Sequence, residues 1–462
     1  MKKQIKTQTI IAYCLPQFAV GLFTTMINNY LLYFYQPSKE SGIPTLITQG
    51  IVFLGIFTVI GLIKAVGHLL DAITDPLVAG ISDKSKNKNG RRIPFMKRYA
   101  VPFGLTALLI FCAPQSQPGI VNNIWIAVFI WAYYVFYTLY MIPHNALLPE
   151  MITDQGKLVN AYTFNSLFFV TGSALGYVTP AFVGMIKNAG QTPLMAWRIV
   201  FAAFTVIGIA LLLVPAFTIK ETDYVSSVRP TVSLFESLKH AFSNKHFVIV
   251  TIGQLLEGTA MAFFQSCIMY YVTTLLGLEE TKSVLILATS IVGSLILYVP
   301  VNKLAKKQGK KPLMVSACIV FTLAEFVICF GADWAFPPMA KALGLAIFVS
   351  YPFAVLNILP GSMMADVIQY DTIKHGVNRE GVFGAARSFV TKIGTSLAIM
   401  IVPSLTVIGA TAGENIGRTG LKITGLVGGV ICLVAVIVFA FYKEKEVLGV
   451  IKEKIEKENK QW

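Results

Sequence analysis

Lys64, His68, Asp71 and Asp75 stand close together in the run KAVGHLLDAITDP, inside a long apolar stretch. At the 100° per residue of an α-helix they fall at about 0°, 40°, −20° and 20°, which is one polar stripe. An ionised side chain at the centre of a bilayer costs about 2.5–3.5 kcal/mol on insertion scales, so such a stripe has to face protein or water. Two carboxylates one turn apart can reach a single cation, and hard ions such as Na⁺ favour oxygen ligands. The ion offsets the repulsion between them, and a proton does the same, because close like charges raise one pKa. Thr74 offers a hydroxyl between the two acids, and Pro76 removes an N–H and so frees a carbonyl one turn earlier. The alternative reading of the stripe is a structural ladder in which Lys64 and His68 pair with the acids.

A second intramembrane cation, Lys392, sits in RSFVTKIGTSLAIM. An ammonium at that depth requires an anion. The aspartate pair with no ion bound is one partner, and an anionic group of a substrate is another; exchange between them would couple ion to solute. A lysine snorkelling toward the helix end is the alternative, and it suits Arg387 better because that residue is closer to a loop.

These residues need elements to hold them. The 462-residue chain is 55% hydrophobic and 13% charged, with mean hydropathy +0.67. That balance excludes an ordinary soluble globule. Apolar segments near or above about 18 residues recur along the whole length. They lie near 10–34, 48–80, 99–116, 121–143, 158–186, 197–219, 247–276, 283–302, 313–332, 338–368, 383–409 and 421–442. No alternating strand pattern accompanies them, so the fold class is all-α, a polytopic membrane protein of twelve transmembrane helices in two six-helix bundles. The net charge of +15 is concentrated in alternate loops and both ends of the chain. The basic excess is therefore topological rather than a nucleic-acid surface, and it places both termini in the cytoplasm of a multi-pass plasma-membrane protein. The first apolar segment carries Gln17, Asn28 and Asn29 and outruns a signal peptide, so it reads as a retained helix. Six scattered cysteines with no CxxC pair read as packing residues.

The basic loops also repeat. DKSKNKNGRRIP and NKLAKKQGKKP superpose with a shift of 219 residues, placing Gly90-Arg91-Arg92 on Gly309-Lys310-Lys311. Two parallel six-helix halves of this kind, joined by a cytoplasmic linker, are an architecture of secondary transporters. The predicted organisation is an N-terminal bundle over 1–219 with the cation site, a linker over 220–246, a C-terminal bundle over 247–442 and a cytoplasmic tail over 443–462. Under the same shift Asp71 and Asp75 fall on Ser290 and Ser294, so the charged site is expected in the first half alone.

Four stretches together carry a resemblance: DAITDP, GRRIPF, YTLYMIPHNALLPE and MADVIQYDTIKHGVNREGVFGAARSFVTK. In combination they resemble the glycoside-pentoside-hexuronide cation symporters, the melibiose-permease-like branch of the major facilitator superfamily, over essentially the whole chain. The resemblance implies that Asp71 and Asp75 bind the coupling ion, Na⁺ ahead of H⁺, with Thr74 and Thr138 joining them, and that Lys392 is the family's lysine near that site. It implies no cofactor. The galactoside-binding positions depart, since Met141, Asn145, Gly21 and Thr163 stand where galactoside carriers hold other residues.

Polar candidates for the solute are Asn28, Asn29, His144, Asn145, Asn160, Thr163, Glu257, Gln265 and Asn357; Asn28, Asn145, Thr163, Asn357 and Lys392 are taken as the substrate set. Asp83, Arg91 and Arg92, with Asp366, Asp371, Arg379 and Glu380, are expected to form ion pairs that close the cytoplasmic side. The predicted function is alternating-access symport of a small glycoside, pentoside or hexuronide by a monomer surrounded by membrane lipid. A sodium-coupled lysolipid carrier of the same fold is the alternative. A Mg²⁺-dependent intramembrane transferase is the rival class, weakened because such sites recruit further carboxylates; no catalytic residue is predicted.

Overall fold

The structure is a computed structural model. It describes residues 5–459 apart from 54–56, 84, 86, 88–89, 153–154, 225–240, 377–379 and 412. The helices are α1 (Thr7–Tyr35), α2 (Val59–Asp83), α3 (Ile93–Leu109), α4 (Ile120–Met151), α5 (Gln155–Tyr177, resuming as Thr179–Asn188) and α6 (Pro193–Thr218). They continue as α7 (Lys245–Leu275), α8 (Lys282–Gln308), α9 (Lys310–Phe330), α10 (Pro338–His375), α11 (Glu380–Thr406), α12 (Arg418–Ala440) and α13 (Glu444–Asn459). Ten of these segments are long and apolar enough to cross a membrane. The two others among α1–α12 are α2, which carries Lys64, Asp71 and Asp75, and α3, which has 17 residues.

The second apolar run differs from its expected extent of 48–80. Ile51–Phe53 pairs antiparallel with Phe57–Thr58 in a short ribbon, entered at Gly50, whose φ is +82°. The helix starts only at Val59, where the Thr58 hydroxyl accepts from the Gly61 N–H at 3.2 Å and so caps the first turn.

The chain divides into two compact units. The first is Met1–Pro230 with the short segments Glu279–Val284 and Gly409–Gly417; the second is Thr231–Leu278, Leu285–Ile408 and Arg418–Trp462.

In the first unit α2 is amphipathic in the membrane sense. Leu69, Ile73, Leu77 and Ile81, spaced by four, are exposed, while Lys64 and Asp71 on the opposite side are buried. The buried side packs on α4 in constant parallel register: the Trp131 indole N–H donates to the Ile63 carbonyl at 3.1 Å, and His68 Nε2 and the Tyr134 hydroxyl are 2.8 Å apart. Gly67 makes this approach possible, since a Cβ there would stand 2.8 Å from the Tyr134 ring and 3.0 Å from Ile130.

Each unit also contains the same corner, at the two places where the basic loops repeat. In the first unit the Glu221 carboxylate accepts from the backbone N–H groups of Arg91, Arg92 and Ile93 at 2.7, 2.8 and 2.9 Å, at the start of α3. In the second unit the Glu444 carboxylate accepts from the N–H groups of Lys310 and Lys311 at 2.6 and 3.0 Å, at the start of α9. An anion at a helix N-terminus satisfies donors that have no partner within the helix and meets the positive end of its dipole. Gly90 (φ +110°) and Gly309 (φ +94°) turn the chain into these corners in a conformation that a side chain disfavours, and a Cβ on Gly90 would collide with Glu221.

Two outcomes are expected. Glu221→Gln keeps the size of the side chain but removes its charge, and should destabilise the purified protein by about 1–3 kcal/mol, read as a lower midpoint of thermal unfolding in detergent; Glu444→Gln, with fewer donors to lose, should act in the same direction and less. Gly67→Val should cost about 1–3 kcal/mol by overpacking the α2–α4 seam, whereas the same change at Gly80, where a Cβ meets nothing within 4 Å, should cost much less.

Candidate functional site

The seam that holds His68 against Tyr134 continues one turn further to the acidic couple. Thr138 on α4 is fully buried, and its hydroxyl donates to Asp71 Oδ1 at 2.8 Å and lies 3.3 Å from Asp75 Oδ1. Thr74 Oγ1 is 3.3 Å from Thr138 Oγ1 and 3.3 Å from the Asp71 backbone carbonyl. Two carboxylates, two hydroxyls and a carbonyl thus converge from two adjacent helices, with Asp71 only 5% exposed. Both carboxylates turn an oxygen toward the one Thr138 hydroxyl, whose single proton can go to only one of them at a time. A small cation fits such a donor set: the hydroxyl hydrogens turn outward, and every oxygen can face the ion.

The rest of the polar stripe resolves differently. Lys64 is buried, and among the described residues no ion pair reaches it, so Lys64 takes no part in a ladder with the acids. His68 is engaged by Tyr134. Trp131, Tyr134 and Thr138 follow one another along α4 at helical spacing and carry the polar tips that meet α2; that periodicity was the available signal for the first two of them.

Of the candidate solute residues in the first unit, Asn28 is half-buried within a π-helical turn of α1, Met26–Tyr30, and Asn29 beside it donates to the Thr25 carbonyl at 3.2 Å. Wide turns of this kind occur disproportionately at functional sites. Asn145 and Thr163 are exposed. His144 is a structural link: its ring stacks on Tyr13 at 4.2 Å, its Nε2 lies 2.9 Å from the Tyr13 carbonyl, and the Tyr13 hydroxyl donates to its own carbonyl at 2.6 Å. In the second unit Asn357 is exposed and donates to the Phe353 carbonyl within its own helix at 2.7 Å, and Lys392 is half-buried in α11.

The residues expected to form the gate have partners that the sequence reading did not name. Arg92 pairs with Glu150 at 2.8 Å and also meets the Ser82 hydroxyl, and Arg91 reaches Glu150 at 3.4 Å. Asp366 pairs with Lys310 at 2.6 Å, and Asp371 accepts from Asn244 at 3.2 Å and lies 3.1 Å from His375 Nδ1. Arg379 and the side chains of Asp83 and Glu380 lie outside the described residues. Glu150, Glu221 and Glu444 were legible only as the acids nearest the ends of α4, α6 and α12.

Ser290 and Ser294, which the repeat sets against the acidic couple, turn back on their own helix. Their hydroxyls donate to the Ile286 and Ile291 carbonyls at 2.9 and 2.8 Å.

Residues 12–446 match the family described as MFS/sugar transport protein. The inner membrane symporter YicJ of Escherichia coli is 26% identical, with 83% of this chain and 79% of that protein covered. The isoprimeverose transporter of Lactiplantibacillus pentosus is 21% identical, with 86% and 79% covered. Among solved structures, that of a D-xylose-proton symporter has the same fold, with a TM-score of 0.66 at 15% identity over 95% of this chain and 98% of that one. With the family matched along nearly its whole length, the chain belongs to the MFS/sugar transport proteins and, within them, to the glycoside-pentoside-hexuronide cation symporters: it is a multi-pass membrane transporter and not an enzyme.

Proposed function

We propose that this transporter couples the entry of a small glycoside, pentoside or hexuronide to a cation held by Asp71, Asp75, Thr74 and Thr138, with Na⁺ ahead of H⁺. The observation that carries the reading is the Thr138 hydroxyl lying 2.8 and 3.3 Å from the two carboxylates at once. Oxygen donors alone suit a hard ion. Among the described residues no group of three His, Cys, Asp or Glu side chains gathers for a divalent metal, so the donor set favours a monovalent cargo. Bringing the ion in removes the repulsion between Asp71 and Asp75, and its departure restores that repulsion. The site therefore has two states that differ in charge, which is what a coupling device needs.

Lys392 takes the coupling role in the second unit, and Asn28, Asn145, Thr163 and Asn357 are the proposed solute contacts. Asp83, Arg91, Arg92, Asp366, Asp371, Arg379 and Glu380 belong to the proposed cytoplasmic gate. Arg92 with Glu150 and Lys310 with Asp366 support this in a restricted form, as charged latches within each unit. Both pairs are largely shielded from solvent, so opening a latch leaves charges that need water or a new partner. The protein would work as a monomer in the plasma membrane with both termini in the cytoplasm, crossing solute and ion together by alternating access.

Proteoliposomes offered glycosides, pentosides, hexuronides and lysophospholipid under an imposed Na⁺ or pH gradient test the reading. Asp71→Asn and Asp75→Asn should each abolish gradient-driven accumulation while the protein still elutes as a folded species; full uphill uptake by either variant removes that residue from the site. Thr138→Ala should weaken the apparent affinity for the coupling ion about ten-fold, the equivalent of about 1.4 kcal/mol, with little change in the maximal rate. Lys392→Gln should lower accumulation at equal gradient, and an unchanged ion-to-solute ratio would return Lys392 to a snorkelling role.

A further inference from the structure

The second unit holds two buried carboxyls that neither the cation site nor the latches use. Glu257 on α7 is 6% exposed and Glu325 on α9 is 1% exposed. Glu257 Oε2 and Glu325 Oε1 are sealed from solvent and meet no hydrogen-bond partner, and among the described residues neither carboxyl has a basic group within ion-pair distance. The expectation of a single charged locus, confined to the first half, does not cover them.

They share one seam. Glu325 Oε1 lies 2.9 Å from the point where a Cβ on Gly428 of α12 would stand, and that point is 3.2 Å from Phe263 Cβ of α7, so the carboxyl sits where α7, α9 and α12 meet. One turn along α12 the Cys432 thiol donates to the Cys318 carbonyl of α9 at 3.3 Å. Cys432 is close enough to interact electrostatically with both Glu257 and Glu325, and Cys318 with Glu257. α10 meets this part of α7 through Pro360, whose carbonyl accepts from Gln254 at 2.7 Å. The charged neighbour of Glu257 comes from α11, which packs on α7 through Phe383 against Phe247 at 5.0 Å and through Gly394 against Leu255 and Thr259. It is Arg387, half-buried on α11 between the Phe383 and Gly394 contacts, which makes no ion pair with Glu257 and whose guanidinium has no hydrogen-bond acceptor among the described residues.

A carboxylate ion without donors or a touching cation is strongly disfavoured in such a place, and the usual resolution is that the group holds a proton. A guanidinium that can close on it reverses the preference. We propose that Glu257 and Arg387 form a proton switch in the second unit, with Glu325 as a further neutral acid on the same seam. With Arg387 apart, Glu257 carries its proton; when Arg387 closes on it, the O–H bond breaks, the proton passes to water, and the carboxylate is left paired with the guanidinium. Opening reverses each step. In a transport cycle this would exchange a proton separately from the cation at Asp71 and Asp75. Only that last role rests on the proposed symport; the chemistry of the switch does not.

A carbodiimide tests the switch without a known solute. Dicyclohexylcarbodiimide adds to protonated carboxyls in apolar surroundings, and the rearranged N-acylurea is located by peptide mass spectrometry. On the purified full-length protein, stepped from mildly acid to mildly alkaline pH, Glu257 and Glu325 should both be labelled at acid pH, and the label on Glu257 should fall as pH rises. Arg387→Gln should carry the half-labelling pH of Glu257 upward by about one unit, a ten-fold change in its proton equilibrium. Infrared difference spectra over the same steps cover the case in which the reagent fails to enter: a carboxylic C=O band, absent from Glu257→Gln, should fade on the same profile. A Glu257 that is ionised throughout, protonated throughout, or unmoved by Arg387→Gln overturns the proposal. Repeating the titration in Asp71→Asn separates the two readings, since failure of the cation site leaves the Glu257 profile unchanged.

Discussion

Two carboxylates placed one turn apart inside an apolar bundle cannot both remain charged without local compensation, and much of the first unit follows from that constraint. It requires α2 to turn its aliphatic residues outward and its acids inward, the reverse of a soluble amphipathic helix. It requires a neighbour close enough to supply oxygen, which α4 does because Gly67 lets the Tyr134 ring rest directly against the α2 backbone. Thr138 then stands beside both acids through helix register alone, in line with Trp131 and Tyr134 above it.

The duplicated corners show which features the two halves share and where they differ. Glu221, set against the first turn of α3, and Glu444, set against the first turn of α9, solve the same problem, unpaired backbone donors at the start of a helix, each with a left-handed glycine just before that helix. Arg91 with Glu150 and Lys310, at the equivalent position, with Asp366 repeat the accompanying ion pair. The scaffold is therefore conserved between the halves while their polar interiors are not. Ser290 and Ser294 bond back to their own helix where the first half carries aspartates, and the buried acids of the second half lie elsewhere, on α7 and α9. Acids are thus buried in both halves, at positions that the duplication does not relate.

Several polar residues that the sequence offers to a solute are committed elsewhere. His144, attractive in the sequence as an intramembrane imidazole, is used up in stacking on Tyr13 and in exchanging hydrogen bonds with its backbone. Asn357 satisfies its amide on the preceding turn. Polar side chains in membrane helices commonly serve helix structure in this manner, so the number of polar residues on the spans overstates the number available to a solute.

The sequence by itself determined that this is a helical membrane protein, because no other composition covers so much apolar surface, and that Asp71 and Asp75 share an inward face, because a 100° step and the cost of a charge in lipid leave no alternative. Its repeated glycine and basic loops revealed the duplication, and its combined motifs pointed to the family. Thr138 entered only through that resemblance. The tertiary structure decided the partners: Glu221, some 130 positions from the Arg91 N–H it accepts from, Glu150 on Arg92, Tyr13 on His144, and Arg387 near but not on Glu257. The reason is that periodicity along one helix fixes only which way a side chain faces. What it meets depends on the offset and closeness of a second helix, and these are set by packing at residues such as Gly67 and Gly428, far along the chain from the groups they bring together.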